Sequence, residues 1–190
     1  MVYTITMEFN FSPFPYLTTA QYELRPLQPT DEKEVFALRS DDTINQYLDR
    51  PKATSIDDAK QFIRKIIDGV ANNLSIFWVI TPKGESTFLG SICLWNLSTD
   101  PRKADLGFEL LPRYHGKGIM QEVIPVVIQF GFEQMKLEKI EAELSPRNLK
   151  SVRLLGKNNF TLAVLNKENP DSVIYELKRQ DVCVRPTDQQ

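Results

Sequence analysis

A turn with two glycines, between an apolar strand and a long helix, constrains this sequence most strongly. Residues 106–111 predict a buried strand, Pro112 ends it, and segment 119–135 has the apolar periodicity of a helix. Gly116 and Gly118 lie between them. A Gly-x-Gly turn that opens a helix can hold phosphate, because its backbone N–H groups approach the anion and the helix dipole favours negative charge. An ordinary turn is the competing interpretation, since glycine marks loops more often than ligand sites.

The residues after this helix strengthen the phosphate-binding interpretation. Residues 138–145 alternate apolar and charged side chains and predict another strand. Asn148 then begins a short helix that ends at Asn158-Asn159, where an asparagine can take the left-handed conformation that usually falls to glycine. The inner side of this helix is expected to carry Leu149, Val152 and Leu155.

These elements follow one another in the order Arg113-x-x-Gly116-x-Gly118, a helix, a strand, Asn148-x-x-Ser151 and a terminal Asn-Phe. This order resembles the acetyl-CoA-binding core of the GCN5-related N-acetyltransferases (GNAT). Residues 22–27 and 88–92 also resemble the first and third strands of the branch that acetylates ribosomal-protein N-termini, the RimJ/RimL type. The resemblance covers residues 22–179, and its motifs are specific for the superfamily but not for the substrate.

The resemblance implies that acetyl-CoA is the cosubstrate and that the glycine turn holds its pyrophosphate, with added charge from Lys117 or Arg113. Ser151 would lie near the CoA sulfur and assist the leaving thiolate, and Asn148 would meet the pantetheine arm. Helix capping is the alternative for both residues. The implied cofactor-binding residues are Leu110, Leu111, Arg113, His115, Gly116, Lys117, Gly118, Ile119, Met120, Asn148 and Ser151.

Transfer to an amine also needs a base and a polarised thioester carbonyl. A backbone N–H of strand 104–111 could polarise the carbonyl. Asp105 and Glu109 are four residues apart on this strand and therefore share a face; Glu109 is the first choice of base, against the alternative of a solvent-facing carboxylate. Further candidates are Glu168 and Glu176 as base and Tyr114 and Tyr175 as acid.

Two residues depart from the family pattern. Met120 is bulkier than the small residue expected there, so the local packing must differ. Pro125 lies inside the predicted helix and removes a backbone hydrogen bond, so a kink is expected near residues 121–125.

The order of the predicted elements favours a mixed α+β fold. We expect a largely antiparallel sheet of six to seven strands, one splayed parallel pair beside the glycine-turn helix, and helices on both faces. Residues 21–180 form the catalytic domain, residues 1–20 an extension with a possible extra strand, and residues 181–190 a frayed tail.

Most aromatic side chains fall on inward positions and are predicted to lie in the core. A wall of the acceptor cleft is the alternative for Trp78 or Trp95. The set comprises Phe62, Phe77, Trp78, Phe88, Trp95, Phe108, Phe130 and Phe132.

Charge and cysteine content exclude several classes of function. The formal net charge is −2, with no basic stripe, which argues against nucleic-acid binding. Cys93 and Cys183 have no metal-ligand spacing, so no metal is expected, and Cys93 is predicted to be a small core residue. No apolar run is long enough for a membrane span and no secretory signal is visible, which predicts a cytoplasmic protein.

The predicted function is an N-acetyltransferase that transfers acetyl directly to a primary amine. No Cys–His or Ser–His pair is visible that would form a covalent enzyme intermediate. A protein or peptide N-terminal amine leads as acceptor, ahead of small amines such as polyamines, amino sugars or amino acids. A non-catalytic CoA-binding module is the alternative from another class, and either a monomer or a homodimer is compatible with the sequence.

Overall fold

The computed structural model describes residues 8–48, 50–165 and 171–182, without the side chains of Val164 and Leu165. The strands are β1 (Leu17–Thr18), β2 (Tyr22–Pro26), β3 (Ile76–Pro82), β4 (Gly90–Thr99), β5 (Arg102–Leu110), β6 (Lys139–Leu144), β7 (Thr161–Leu165) and β8 (Val173–Lys178). The helices are α1 (Glu32–Ser40), α2 (Asp42–Asn45), α3 (Ile56–Ala71), α4 (Ile119–Glu133), α5 (Leu149–Lys157) and α6 (Arg179–Val182).

All eight strands form one sheet in the order β1-β2-β3-β4-β5-β6-β8-β7. Only β5 and β6 run parallel, which confirms the predicted mixed fold with one parallel pair. The predicted count of six to seven strands is too low, because Leu17–Thr18 pairs with Leu24 and Glu23 and adds an edge strand.

The parallel pair separates soon after it forms. Lys103 pairs with Lys139, Ala104 with Ile140 and Asp105 with Glu141, and the described structure has no later pair between these strands. β5 nevertheless stays paired with β4 up to Leu110, opposite Gly90. A V-shaped gap, which we call the splay, therefore opens between β5 and β6 beyond Asp105.

Helices cover both faces of the sheet, as predicted. On one face, α4 and α5 bury apolar residues such as Val123, Ile124 and Leu155 against the sheet residues Leu94 and Ile140. On the other face, α1 and α3 pack against the strands through Val35, Leu38, Ala59 and Ile63. α3 begins with a capping box, in which Ser55 and Asp58 exchange hydrogen bonds.

The extension before β2 crosses the sheet as a strap, and the extra strand within its described residues is the short β1. Residues 8–11 form no strand, but Phe9 and Phe11 are buried in the core, and residues 1–7 lie outside the described residues. The indole Nε1 of Trp78 donates to the carbonyl of Pro15 at 2.8 Å. At the end of the strap, the Thr19 hydroxyl donates to Glu122 in the first turn of α4 at 2.5 Å.

Three local predictions are wrong. Leu149 is 59% exposed, and Leu154 packs against the core instead. Trp95 is 50% exposed, because its side chain lies on a part of the sheet that no helix covers. The frayed tail begins later than predicted, since Asp181 and Val182 belong to α6; residues 183–190 lie outside the described residues.

Pro125 interrupts neither the start nor the course of α4. The helix begins at Ile119 and continues to Glu133 with Pro125 inside it. Both Pro125 and Gln121 lie on the exposed side of the helix, where water can reach the backbone that loses a hydrogen bond. The kink near residues 121–125 stays a prediction.

Gly90 provides a test of the close contact between β4 and β5. A Cβ at Gly90 would lie 2.2 Å from the Glu109 carbonyl oxygen, so Gly90→Ala should destabilise the protein by about 1–3 kcal/mol. Gly156→Ala in α5 is the control, because a Cβ there meets nothing within 4 Å. It should stabilise the helix by about 0.5–1 kcal/mol. Urea unfolding measures both effects, and equal midpoints for the two variants would contradict the contact.

Candidate active site

A cleft of ≈ 640 Å³ lies where the splay meets the glycine turn. Three regions line it: the α2 segment, the end of β5 with the following loop, and the first turns of α5. The lining residues are Thr43, Ile44, Gln46, Tyr47, Leu48, Phe108, Glu109, Leu110, Tyr114, His115, Gly116, Lys117, Gly118, Ile119, Met120, Gln121, Arg147, Asn148, Leu149, Lys150, Ser151, Arg153, Leu154 and Lys157.

The glycine turn has the geometry of an anion-binding loop. Gly116 and Gly118 have φ of 75° and 78°, a left-handed conformation that L side chains rarely adopt. Gly118 is the N-cap of α4 and has no side chain to cap the helix. Within the described residues, nothing accepts a hydrogen bond from the backbone N–H groups of residues 116–120. These donors therefore fit an anion such as a pyrophosphate.

His115 ties this loop to the end of β5. Its Nε2 lies 2.9 Å from the carbonyl oxygen of Leu110. Because a carbonyl only accepts, Nε2 carries the proton in this contact. Lys117 and Arg113 both lie over the Tyr114 ring, with 5.2 Å and 5.0 Å to its centroid.

Two of the predicted cofactor residues lie outside the cleft. Arg113 lines a separate cavity of ≈ 870 Å³ together with Arg25 and Asp31, which form a 2.7 Å ion pair. Leu111 is buried, and its N–H donates to the Leu89 carbonyl at 3.0 Å. The cleft brings together the others: Leu110, His115, Gly116, Lys117, Gly118, Ile119, Met120, Asn148 and Ser151.

Sequence reasoning missed the cations of α5 and the α2 wall. Lys150, Arg153 and Lys157 all line the cleft. Their spacing of three and four residues places them on one helix face, and this signal could have identified them. Tyr47 and Leu48 also line it, but their contribution depends on the tertiary placement of α2.

Asn148 caps α5, as the capping alternative proposed. Its Oδ1 accepts from the Ser151 N–H at 3.2 Å. Both residues also line the cleft, so capping fixes Ser151 in the cleft wall at the helix start. Met120, the second residue of α4, is buried and belongs to the core cluster below the sheet-facing side of that helix.

Glu109 lies in the cleft wall and forms an ion pair with Arg50. Its Oε2 is 2.7 Å from Arg50 Nη2, and the side chain is 14% exposed. The Nε of Arg50 donates to Asn45 at 2.8 Å, and the Asn45 amide donates to the carbonyls of Leu38, Arg39 and Asp41. This network connects the α1–α2 corner to the end of β5.

Asp105 lies at the apex of the splay, outside the cleft lining. Asn96 donates to its Oδ2 at 2.9 Å. Burial raises the pKa of Asp105, and the hydrogen bond from Asn96 and the charge of Lys103 oppose this effect. Nearby Glu141 and Glu143 raise the pKa further, because they disfavour a second negative charge.

The remaining acid–base candidates are distributed as follows. Glu176 pairs with Lys178 at 2.9 Å on β8, Tyr175 packs against the core, and Tyr114 lines the cleft. Glu168 lies outside the described residues.

Cys93 is unsuited to nucleophilic catalysis. Burial, followed by the negative charge of Glu109, raises the pKa of its thiol to about 12. The thiol is therefore neutral at pH 7 and cannot act as a thiolate. Cys183 lies outside the described residues.

Searches of the described residues for a metal site and a membrane span found neither. Across residues 8–48, 50–165 and 171–182, no group of three or more His, Cys, Asp or Glu side chains could hold a metal ion. Within the same ranges, no helix is long and apolar enough to cross a membrane.

Comparisons with known proteins identify the family. The family described as "Acetyltransferase (GNAT) domain" matches residues 21–161. The uncharacterized N-acetyltransferase YoaA of Bacillus subtilis (strain 168) is 30% identical over 147 residues, covering 77% of this chain and 83% of YoaA. This chain belongs to the GNAT acetyltransferase family, and it is an N-acetyltransferase.

Solved structures share the fold at lower identity. RimL, a ribosomal L7/L12 alpha-N-protein acetyltransferase in complex with coenzyme A, has a TM-score of 0.77 and 17% identity, covering 88% of this chain and 99% of RimL. The ribosomal-protein-S5-alanine acetyltransferase of Vibrio fischeri has a TM-score of 0.72 and 22% identity, covering 88% and 98% of the two chains.

The raised pKa of Asp105 predicts a pH-dependent gain in stability on replacement. The ionised carboxylate opposes folding at neutral pH, so Asp105→Asn should increase the free energy of unfolding there. The gain should shrink as the pH falls through the raised pKa, because the folded wild type then binds a proton. Asp68→Asn, at an exposed position on α3, is the control. Urea unfolding across the acid range measures both variants, and a gain that grows on acidification would contradict the assignment.

Proposed function

We propose that the cleft binds acetyl-CoA with its pyrophosphate on the N–H groups of residues 116–120. The observation that carries this proposal is the pair of left-handed glycines at the mouth of the splay, with donors that have no partner within the described residues. Lys117, Lys150, Arg153 and Lys157 add positive charge around the same opening. GNAT membership independently implies the use of acetyl-CoA.

The proposed path of the pantetheine arm runs through the splay, along β5. β5 runs for roughly 17 Å between the level of Leu110 and that of Asp105. An arm that starts at the glycine turn and follows β5 therefore brings its thioester towards the apex of the splay. Bound acetyl-CoA supplies the activated acetyl group, and Asn148 and Ser151 line the opposite wall.

Ser151 is placed to assist the departure of the thiolate. The Asn148 cap holds the first turn of α5 in the cleft wall, so the Ser151 hydroxyl has a defined position beside the proposed path of the arm. A hydroxyl donor there can hydrogen-bond the developing thiolate or give it a proton.

The acceptor amine loses its proton to Asp105 or Glu109, directly or through water. Both carboxylates lie on one face of β5, opposite to the face covered by α4. Glu109 lines the cleft but is paired with Arg50, whereas Asp105 lies at the apex and its pKa is raised. A raised pKa makes a carboxylate a better proton acceptor near neutral pH.

The acceptor is proposed to be the N-terminal amine of a protein or peptide. Structural neighbours named as ribosomal-protein acetyltransferases support this choice. The chemistry also favours it, because an N-terminal amine has a pKa of ~8 while a lysine-type amine has ~10.4, so the former is deprotonated more easily.

Acetyl-CoA binding is tested by two substitutions of Gly118 that differ only in charge. Asn and Asp both tolerate the left-handed conformation at this position. Gly118→Asp places a negative charge at the pyrophosphate seat and should raise the Kd for acetyl-CoA at least tenfold more than Gly118→Asn does. Calorimetry measures both, and equal Kd values would count against an anion seat at this turn.

Ser151→Ala tests the leaving-group role. The variant keeps the backbone N–H that Asn148 caps, so the fold and the Kd for acetyl-CoA should be unchanged. The kcat should fall by roughly 100-fold, at the lower end of the range of general acid catalysis.

The assay measures CoA release with a panel of N-terminal tetrapeptides, spermidine, glucosamine and free amino acids. An unchanged kcat would remove Ser151 from the mechanism. Activity with a small amine but with no peptide would overturn the proposed acceptor. Acetyl-CoA binding without turnover on any amine would favour a non-catalytic module.

A further inference from the structure

The open face of β4 and β5 carries an aromatic residue directly opposite a carboxylate. In the antiparallel register, Trp95 pairs with Asp105 and Cys93 pairs with Gly107. Alternate residues of a strand share a face, so all four side-chain positions lie on the same side of the sheet. This side of the sheet faces away from α4 and α5, and Glu109 also lies on it.

Trp95 is unusual for a tryptophan of this protein. Trp78, the other one, is fully buried, and its indole N–H donates to Pro15. Trp95 is 50% exposed on a strand in the middle of the sheet. About half of its surface therefore faces solvent, where a ligand can contact the ring.

Gly107 makes room for this indole. A Cβ at Gly107 would lie 3.6 Å from Trp95 Nε1 and 2.9 Å from the Cys93 Sγ. The indole therefore borders the backbone of β5 at Gly107. Gly107 lies two residues beyond Asp105, the last residue of β5 that pairs with β6. The indole ring therefore lies beside the part of β5 that the pantetheine arm is proposed to follow.

Asp105 accepts a hydrogen bond from Asn96, and the lysine that acts on its charge, Lys103, is paired with another carboxylate. A β-bulge follows Trp95, and Asn96 takes a left-handed φ of 50°, which directs its amide to Asp105 at 2.9 Å. The nearest lysine on this face, Lys103, pairs with Glu141 at 2.6 Å. Among the described residues, no ion pair involves Asp105. Its charge is therefore left for a ligand.

We infer that Trp95 and Asp105 bind the ammonium group of the acceptor at the apex of the splay, which makes Trp95 a residue that determines acceptor specificity. The inference rests on the proposed function and adds the chemistry of acceptor recognition to it. An alkylamine arrives mostly protonated at pH 7. An indole ring attracts such a cation through its quadrupole, and a carboxylate beside it supplies the opposite charge. A neutral molecule of the same shape lacks both attractions.

Choline and 3,3-dimethylbutan-1-ol test this recognition without any acetyl transfer. They share a shape and differ in charge, and neither carries an amine that can be acetylated. The two indole N–H signals of the ¹⁵N-labelled protein report the outcome, because Trp95→Phe assigns them. Choline should shift the Trp95 signal in a saturable manner and leave the Trp78 signal in place, while the alcohol should shift neither.

Asp105→Asn and Trp95→Leu separate the two contributions. Asp105→Asn should weaken choline binding at least tenfold, measured on the Trp95 signal. Trp95→Leu should raise the KM of the best amine of the acceptor panel roughly tenfold with little change in kcat. Trp95→Phe should bring the KM most of the way back to the wild-type value, because it again presents an aromatic ring. The unshifted Trp78 signal shows that each variant is folded.

Three results would overturn the inference. They are an equal shift by the alcohol, no shift by choline, and unchanged choline binding in Asp105→Asn. Calorimetry with acetyl-CoA separates this failure from failure of the proposed function, since the cofactor seat at Gly118 does not include Trp95. If the protein binds acetyl-CoA but does not bind choline, the proposed cofactor site stands and the inferred acceptor site is wrong.

Discussion

The architecture of the site depends on the loss of hydrogen bonding between β5 and β6 after three residue pairs. Two adjacent strands normally satisfy each other's backbone hydrogen-bonding groups along their length. A gap between two strands of a sheet therefore depends on the neighbouring strands that hold them apart. β4 holds β5 straight up to Leu110, and β8 pairs with all of β6. Since both strands are paired on their outer sides, the splay stays open between them.

The two walls of this opening are built in different ways. The wall at the glycine turn uses backbone geometry, with left-handed glycines and a capped helix start at Asn148. The wall along β5 uses charged side chains, with Glu109 paired to Arg50 and Asp105 bonded to Asn96. Under the proposed function, the first wall would meet a phosphate group that every reaction shares, and the second would meet an acceptor that can differ.

The glycine turn and the capped start of α5 could be predicted from local sequence, whereas the exposure of Trp95 and the position of Arg113 could not. Gly116, Gly118 and Asn148 act through their own turn or helix end, so a short stretch of sequence contains the whole signal. Trp95 has apolar neighbours that resemble core, and only the uncovered sheet above it leaves it exposed. Arg113 is adjacent to the turn in sequence, yet it lines another cavity. Both the exposure of Trp95 and the position of Arg113 depend on how distant parts of the chain pack around them. Local sequence periodicity contains no information on that packing.

The strap has an electrostatic consequence for the glycine turn. Glu122 lies in the first turn of α4, where a carboxylate would compete with an anion for the positive helix end. The Thr19 hydroxyl, followed by donors of Gln21, stabilises this carboxylate and lowers its pKa, and these bonds occupy both of its oxygens on the strap side. The neutral donors of the strap thus keep Glu122 ionised and solvate its charge on the strap side of α4, so this N-terminal segment fixes a negative charge within one turn of the glycine turn.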